Sequence, residues 1–210
     1  MRRNCIRFRN ELESLCVFKK TKEALFLMKR NILIWVEVAI IAALAMVLSF
    51  VPKLVGWFSP SWGAIILVIF SLRRGLTPGL AAGLLWGLIH FPLGKVSFLS
   101  VEQVLIEYII AFTVMGLAGL VYGPFQKALK NDKYSSAIVW SGIAGLLGVG
   151  VRYFVHYIAG VLFWGQYAPE GTSPWVYSLS VNGTAGVGTF LVVMVACILL
   201  IRQKKIWIAK

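Results

Sequence analysis

RYFVHYIAGVLFWGQYAPEGTSPWVYSLSVNG, residues 152–183, joins the end of one apolar segment to the start of another around one short loop. The flanking segments, 136–159 and 176–201, are each long and apolar enough to span a bilayer, which takes about 20 residues. Around the loop stand His156, Trp164, Tyr177 and Asn182. Lipid offers polar side chains at membrane depth no partner, so their gathering at one membrane face points to a ligand site.

The composition fits that reading. Of 210 residues 59% are hydrophobic, and mean hydropathy is +0.81. A soluble domain of this length could not bury so much apolar surface. The class is an all-α polytopic membrane protein, with room for about six spans and no separate soluble domain. The segments run 32–51, 57–72, 76–92, 101–122, 136–159 and 176–201. The second is short and carries Pro60 near its start, so a tilted, broken or partly re-entrant helix is expected there. Cys5, Cys16 and Cys197 form no CxxC pair, which predicts neither a disulfide nor a cysteine metal site.

A formal charge of +13 in a soluble chain would suggest nucleic acid. Here its distribution reports topology, because Lys and Arg accumulate on the cytoplasmic side. With the N-terminus inside, 18 of the 21 basic residues fall inside: in the first 30 residues, at Arg73-Arg74, at Lys127, Lys130 and Lys133, and after residue 201. Only Lys53 and Lys95 lie outside, and Arg152 lies within a span. Both termini are therefore expected in the cytoplasm, with the bilayer as the chain's surroundings and no nucleic-acid partner. The chain divides into a basic extension, 1–30, and a membrane domain, 31–210. The extension lacks the apolar core and cleavage pattern of a secretory signal. An amphipathic surface helix is one account of it; translation starting naturally at Met28 is the plainer one.

With this topology Trp57, Glu107, Tyr108, His156, Gly160, Trp164, Tyr177 and Asn182 fall toward the outer side, from four separate parts of the chain. Glu107 is the sharpest of them, since a carboxylate within a span costs a few kcal/mol on insertion scales. It either pairs with Arg152 or accepts hydrogen bonds from a ligand. His156, Gly160 and Trp164 follow one another at steps of four and form one helical stripe. Gly160 either lets a flat ligand approach the backbone or serves helix packing. Trp62 and Trp175 read as members of an aromatic belt. Aromatic faces also attract organic cations, and Asn182 supplies donors and an acceptor. Together they suit a flat, cationic, hydrogen-bonding molecule. One histidine without other ligands at suitable spacing predicts no metal. Two histidines without an HExxH context give an intramembrane enzyme no catalytic set.

SLRRGLTPG (71–79), LIEYIIA (105–111), RYFVHYIAGVLFWGQYA and VYSLSVNG resemble the thiamin-specific substrate-binding subunit, or S-component, of energy-coupling factor transporters. The resemblance runs from Val36 to the C-terminus. It implies the S-component fold, with six transmembrane helices in a bacterial cell membrane and thiamin as the transported ligand, without a cofactor. It also implies a transmembrane T-component and two cytoplasmic ATPases as partners, in keeping with the lack of a G-x-x-x-x-G-K-[ST] loop in this chain. The family's binding residues fall on Trp57, Glu107, Tyr108, His156, Gly160, Trp164, Tyr177 and Asn182. Glu107 and Asn182 would hold the aminopyrimidine, and Trp164 and His156 would flank the thiazolium. Ala39 and Ala43 match the family's AxxxA docking face, where small residues permit close helix approach. Ser97, Ser61 and the region of Pro169 depart from the family pattern, which bears on how the outer loops close. The same fold tuned to another vitamin or to a thiamin precursor is the competing expectation.

Overall fold

The computed structural model describes residues 28, 31–51 and 60–208. Trp57 and residues 1–27 lie outside the described residues. The chain divides into a unit ending at Glu37 and a larger unit, Val38–Lys210, which contains every helix that builds the site.

Every regular element among the described residues is helical. Four helices are long and apolar enough to cross a membrane: α1 (Asn31–Leu48), α4 (Val101–Lys130), α5 (Tyr134–Tyr167) and α6 (Pro174–Leu200). Between them, α2 (Gly63–Arg74) has 12 residues and α3 (Leu76–Ile89) has 14. At 1.5 Å per residue these reach only about 18 and 21 Å, less than the ~30 Å of a hydrocarbon core. The second segment thus begins its helix six residues later than its hydropathy does, after a turn at Pro60-Ser61-Trp62. A short α7 (Lys204–Trp207) follows α6.

One residue, Gly75, separates α2 from α3. Its φ of 88° lies where a side chain is strained, so glycine makes this reversal possible. From there Gly79, Gly83 and Gly87 repeat at steps of four along one face of α3 and meet α4 at backbone distance. A Cβ on Gly83 would lie 2.3 Å from the carbonyl oxygen of Phe112, and one on Gly87 would lie 2.0 Å from that of Tyr108. On the facing helix, a Cβ on Gly116 would lie 2.1 Å from the nitrogen of Leu80. Such small-residue seams let helices approach where no hydrophobic effect drives them together. This one fixes Tyr108 and Phe112 beside the end of α3, where they become a wall of the site. We expect Gly83→Leu to destabilise the protein by roughly 3 kcal/mol or more, the upper range of overpacking. Reversible unfolding in mixed detergent micelles measures it, and an unchanged midpoint would show that the seam does not hold the two helices together.

At the opposite end the chain's tail is clasped in place. Trp207 is fully buried, edge-on to Phe125 with ring centroids 5.1 Å apart. The Gln126 amide donates at 2.8 Å to the carbonyls of Leu72 and Trp207. Arg73 donates to the carbonyls of Lys205 and Ile206, and Lys204 pairs with Asp132 at 2.7 Å. That contact holds the Asp132 carboxyl below and the Lys204 ammonium above its ordinary pKa. Three basic groups widely separated in sequence, at 73–74, 127–133 and 202–205, therefore gather at one end.

The long helices are not uniform. Wider π-helical turns occur at Leu105–Ile110 in α4, Leu146–Gly150 and Gly160–Trp164 in α5, and Leu179–Gly183 in α6. Such turns concentrate at functional sites because they re-aim side chains without ending the helix. Three of these four carry candidate ligand-binding residues: Glu107 and Tyr108, Gly160 and Trp164, and Asn182.

Candidate functional site

The site is built from the start of α4. Ser100 caps the helix by accepting from the Gln103 N–H at 3.1 Å, the spacing of a capping box. The Gln103 side chain is fully buried, and its Oε1 accepts from the Leu99 N–H at 3.2 Å. That bond fixes the amide's orientation and turns its NH2 toward Glu107 Oε2, to which it donates. The other carboxylate oxygen, Oε1, accepts from the Trp164 indole N–H at 2.8 Å. Glu107 is thereby held from two sides, once from its own helix and once from α5.

The π turn accounts for how Trp164 arrives there. A step of four in an α-helix overshoots one turn, whereas in the wider π turn it falls short. His156 to Gly160 is a step of the first kind and Gly160 to Trp164 one of the second, so the offsets oppose and the stripe straightens. Gly160 itself sits against α6. A Cβ there would lie 2.2 Å from Ser178 Oγ and 2.8 Å from Asn182 Nδ2. Of the two roles open for Gly160, close helix packing is the one its neighbours fill. Ser178 Oγ donates to the Tyr157 carbonyl at 2.7 Å and accepts from Asn182 Nδ2 at 3.2 Å. This leaves the Asn182 carbonyl oxygen for other use.

The third wall is aromatic. Tyr108 lies parallel to Phe112, centroids 6.2 Å apart and planes 8° from coplanar. Its hydroxyl accepts from the Ser97 N–H at 2.9 Å, which ties the loop before α4 to the cavity rim. His90, at the end of α3, packs 4.6 Å from Phe112 and 5.7 Å from Tyr108. Its Nδ1 is 2.9 Å from the Trp86 carbonyl; a proton there leaves Nε2 as an acceptor. His156 meets Phe112 edge-on at 6.4 Å.

These walls enclose a cavity of about 420 Å³ lined by Glu107, Tyr108, His156, Gly160, Trp164, Tyr177 and Asn182, within the usual range for small-molecule sites. Seven of the eight residues expected to bind ligand thus face one space, and the eighth, Trp57, lies outside the described residues. Among the described residues Glu107 is the only acid on the lining. It makes no ion pair with Arg152, whose nearest polar neighbours are Ser61, Met115 and His156. The lining carries the basic side chains of Lys95 and Arg152 and, beside them, a carboxylate, an amide carbonyl and several aromatic faces. The latter set accepts hydrogen bonds and attracts a flat cation. Among the described residues no cluster of three metal-ligating side chains exists.

Sequence reasoning passed over His90, Phe112, Gln103 and Ser178. Gln103 had a signal, since it precedes Glu107 by one helical turn, where side chains meet. His90 enters the sequence reading only as one of two histidines that lack a catalytic context. Phe112 and Ser178 carry no mark that separates them from the rest of an apolar span.

Residues 35–208 match the thiamine transporter protein family. The chain belongs to that family. It is 39% identical over 187 residues to the thiamine transporter ThiT of Lacticaseibacillus paracasei, covering 86% of this chain and 93% of that protein. ThiT of Bacillus subtilis is 34% identical over 172 residues, covering 78% of this chain and 88% of the relative. A solved structure of ThiT from Listeria monocytogenes superposes with a TM-score of 0.82 at 39% identity, covering 86% of this chain and all of that one. Membership in a transporter family and four helices long and apolar enough to cross a membrane make this a multi-pass membrane transport protein and not an enzyme.

Proposed function

We propose that the chain is the high-affinity thiamin-binding subunit of an ATP-driven vitamin importer. It captures thiamin at the outer face and delivers it inward with a transmembrane T-component and two cytoplasmic ATPases. The observation that carries this reading is the convergence of Glu107, Trp164, His156 and Asn182 on one cavity in a member of this family. In this reading Glu107 and the Asn182 carbonyl receive the donors of the aminopyrimidine. Trp164 and His156 flank the thiazolium, whose permanent charge suits aromatic faces. Tyr108 and Tyr177 complete the enclosure, Trp57 is a further ligand contact that the family pattern implies, and Gly160 keeps α5 and α6 close enough for the walls to meet.

Six helices traverse the membrane in this reading, α2 and α3 with less than full-length helical spans. The gathering of basic residues at the end that holds α7 supports placing that end and both termini in the cytoplasm. Ala39 and Ala43 are exposed on α1 and form the face that docks on the T-component. The test separates capture from delivery. In cells that depend on this subunit and its co-expressed partners, Ala39→Trp should abolish thiamin uptake. The purified variant should bind thiamin like the unmodified chain. Uptake that survives places the docking face elsewhere.

A further inference from the structure

A second chamber of about 230 Å³ adjoins the main cavity across Arg152, His90 and Phe112, which line both. Its other walls include Ser61, Trp62, Trp86 and Tyr153, and among the described residues no acidic one lines it. Arg152 is only 6% exposed. Burying a guanidinium is costly unless its charge and its donors are answered. Three ring faces answer part of the charge, with the guanidinium carbon 4.2 Å from the Phe112 centroid, 4.9 Å from Trp86 and 5.6 Å from Tyr153.

The donors are answered less completely. Nη1 donates to Ser61 Oγ at 3.1 Å and to Met115 Sδ at 3.2 Å, and Nε approaches His156 Nε2 at 3.5 Å. Nη2 has no acceptor among the described residues. Among the described residues no side-chain nitrogen lacking a partner is fully sealed, so Nη2 retains access to open space. The guanidinium stands between the two spaces: His156, beside Nε, lines only the first, whereas Ser61, which accepts from Nη1, and the Trp86 and Tyr153 rings line only the second, so its Nη1 edge faces the second chamber. Ser61 Oγ accepts from Arg152 and so keeps its own O–H to donate.

The same wall contains the start of a helix. Pro60, Ser61 and Trp62 lead into the 12-residue α2, whose amino end no side chain caps. The Ala64 and Ile65 N–H groups turn back onto the Ser61 and Trp62 carbonyls and the Ser61 N–H donates to Thr189 Oγ1, so the helix dipole, up to about half a positive charge, is what this end contributes. A buried guanidinium with an unused donor and a helix start without a side-chain cap, at one chamber that no described acid lines, are the elements of an anion site.

We propose that this chamber binds one small monovalent inorganic anion of the chloride class, between Arg152 and the amino end of α2. One guanidinium and a half charge balance a single negative charge and would leave a divalent anion in excess. Resting on the reading of the main cavity as a thiamin site, the anion also serves as counter-ion to the ligand's cation, which otherwise shares the site with Arg152.

The first test uses thiamin-free purified protein. Replacing gluconate by chloride or bromide at constant ionic strength should raise the melting temperature saturably, and Arg152→Gln and Ser61→Ala should each flatten that response. A flat response in the unmodified protein, or an equal rise in both variants, overturns the proposal. If the variants do not fold, crystals of the unmodified protein in bromide decide. An anomalous peak between Arg152 and Trp62 supports the site, and its absence at saturating bromide overturns it. The counter-ion role predicts thiamin affinity severalfold weaker in gluconate than in chloride, and equal affinities reject that role. Absence of thiamin binding in either salt would instead sink the proposed function, leaving the thiamin-free result to stand by itself.

Discussion

Glu107→Gln is expected to weaken thiamin binding by more than tenfold while leaving the protein folded. The substitution keeps the side chain's volume and removes its charge. It also turns one acceptor into a donor, in a place where both neighbours already donate: Gln103 Nε2 and the Trp164 indole N–H. One of those contacts must be lost or the amide must rotate away from the cavity. Hydrogen bonds to a charged group contribute about 1.5–3 kcal/mol, which corresponds to roughly 10- to 150-fold in affinity. The lost attraction for a permanent cation adds to this. Isothermal titration gives the affinity and a melting curve shows whether the fold persists. Unchanged affinity in a folded variant would remove Glu107 from the binding role.

Trp164→Ala should have an effect of similar size for a different reason. The ring is the aromatic face that α5 offers to the cavity, and a desolvated cation–π contact contributes about 2 kcal/mol, some 30-fold. Its N–H also positions Glu107, so removing the indole frees the carboxylate to turn toward water. The two roles are separable. Trp164→Phe keeps a ring face and loses the N–H, and should fall between the unmodified chain and the alanine variant. Because Trp164 and Glu107 touch, their effects should not add: the double variant should lose less than the combined single losses. Additive losses would mean that the two residues act independently, contrary to the geometry. Calorimetry is the suitable readout, since the substitution alters intrinsic fluorescence.

Much of this site is legible in the sequence, because a membrane simplifies the question. A carboxylate, an asparagine and a histidine within apolar spans are conspicuous. The distribution of Lys and Arg then assigns them a common face. The gathering of Glu107, Trp164 and Asn182 therefore needs only the right count of segments. What the sequence hides is local backbone geometry. Spacing predicts the helical stripe of His156, Gly160 and Trp164, but hydropathy cannot distinguish an α turn from a π turn, so neither the straightening of that stripe nor the continuation of α5 to Tyr167 is legible. The partner of Glu107 is hidden for a related reason. Arg152 is the opposite charge in range, yet its guanidinium is taken up by Phe112, Trp86 and Tyr153, and Glu107 is met by the neutral Gln103 and Trp164.

The α3 seam differs. Gly79, Gly83 and Gly87 are visible in the sequence at steps of four, a stronger small-residue pattern than Ala39 and Ala43. Spacing alone does not say whether such a face meets the protein's own helix or a partner's. The structure answers the first case, since the glycines lie against α4 at backbone distance; of Ala39 and Ala43 it shows that they are exposed.

If the cavity between α4, α5 and α6 holds thiamin, the ligand must reach the tryptophan on its wall. Titration of the purified, ligand-free protein with thiamin, read by intrinsic tryptophan fluorescence, tests this most directly. Saturable quenching at submicromolar concentration is expected, with hydroxymethylpyrimidine alone far weaker because it lacks the thiazolium cation. Absence of saturable quenching by thiamin, or equal affinity for the pyrimidine alone, would contradict a thiamin site in this cavity.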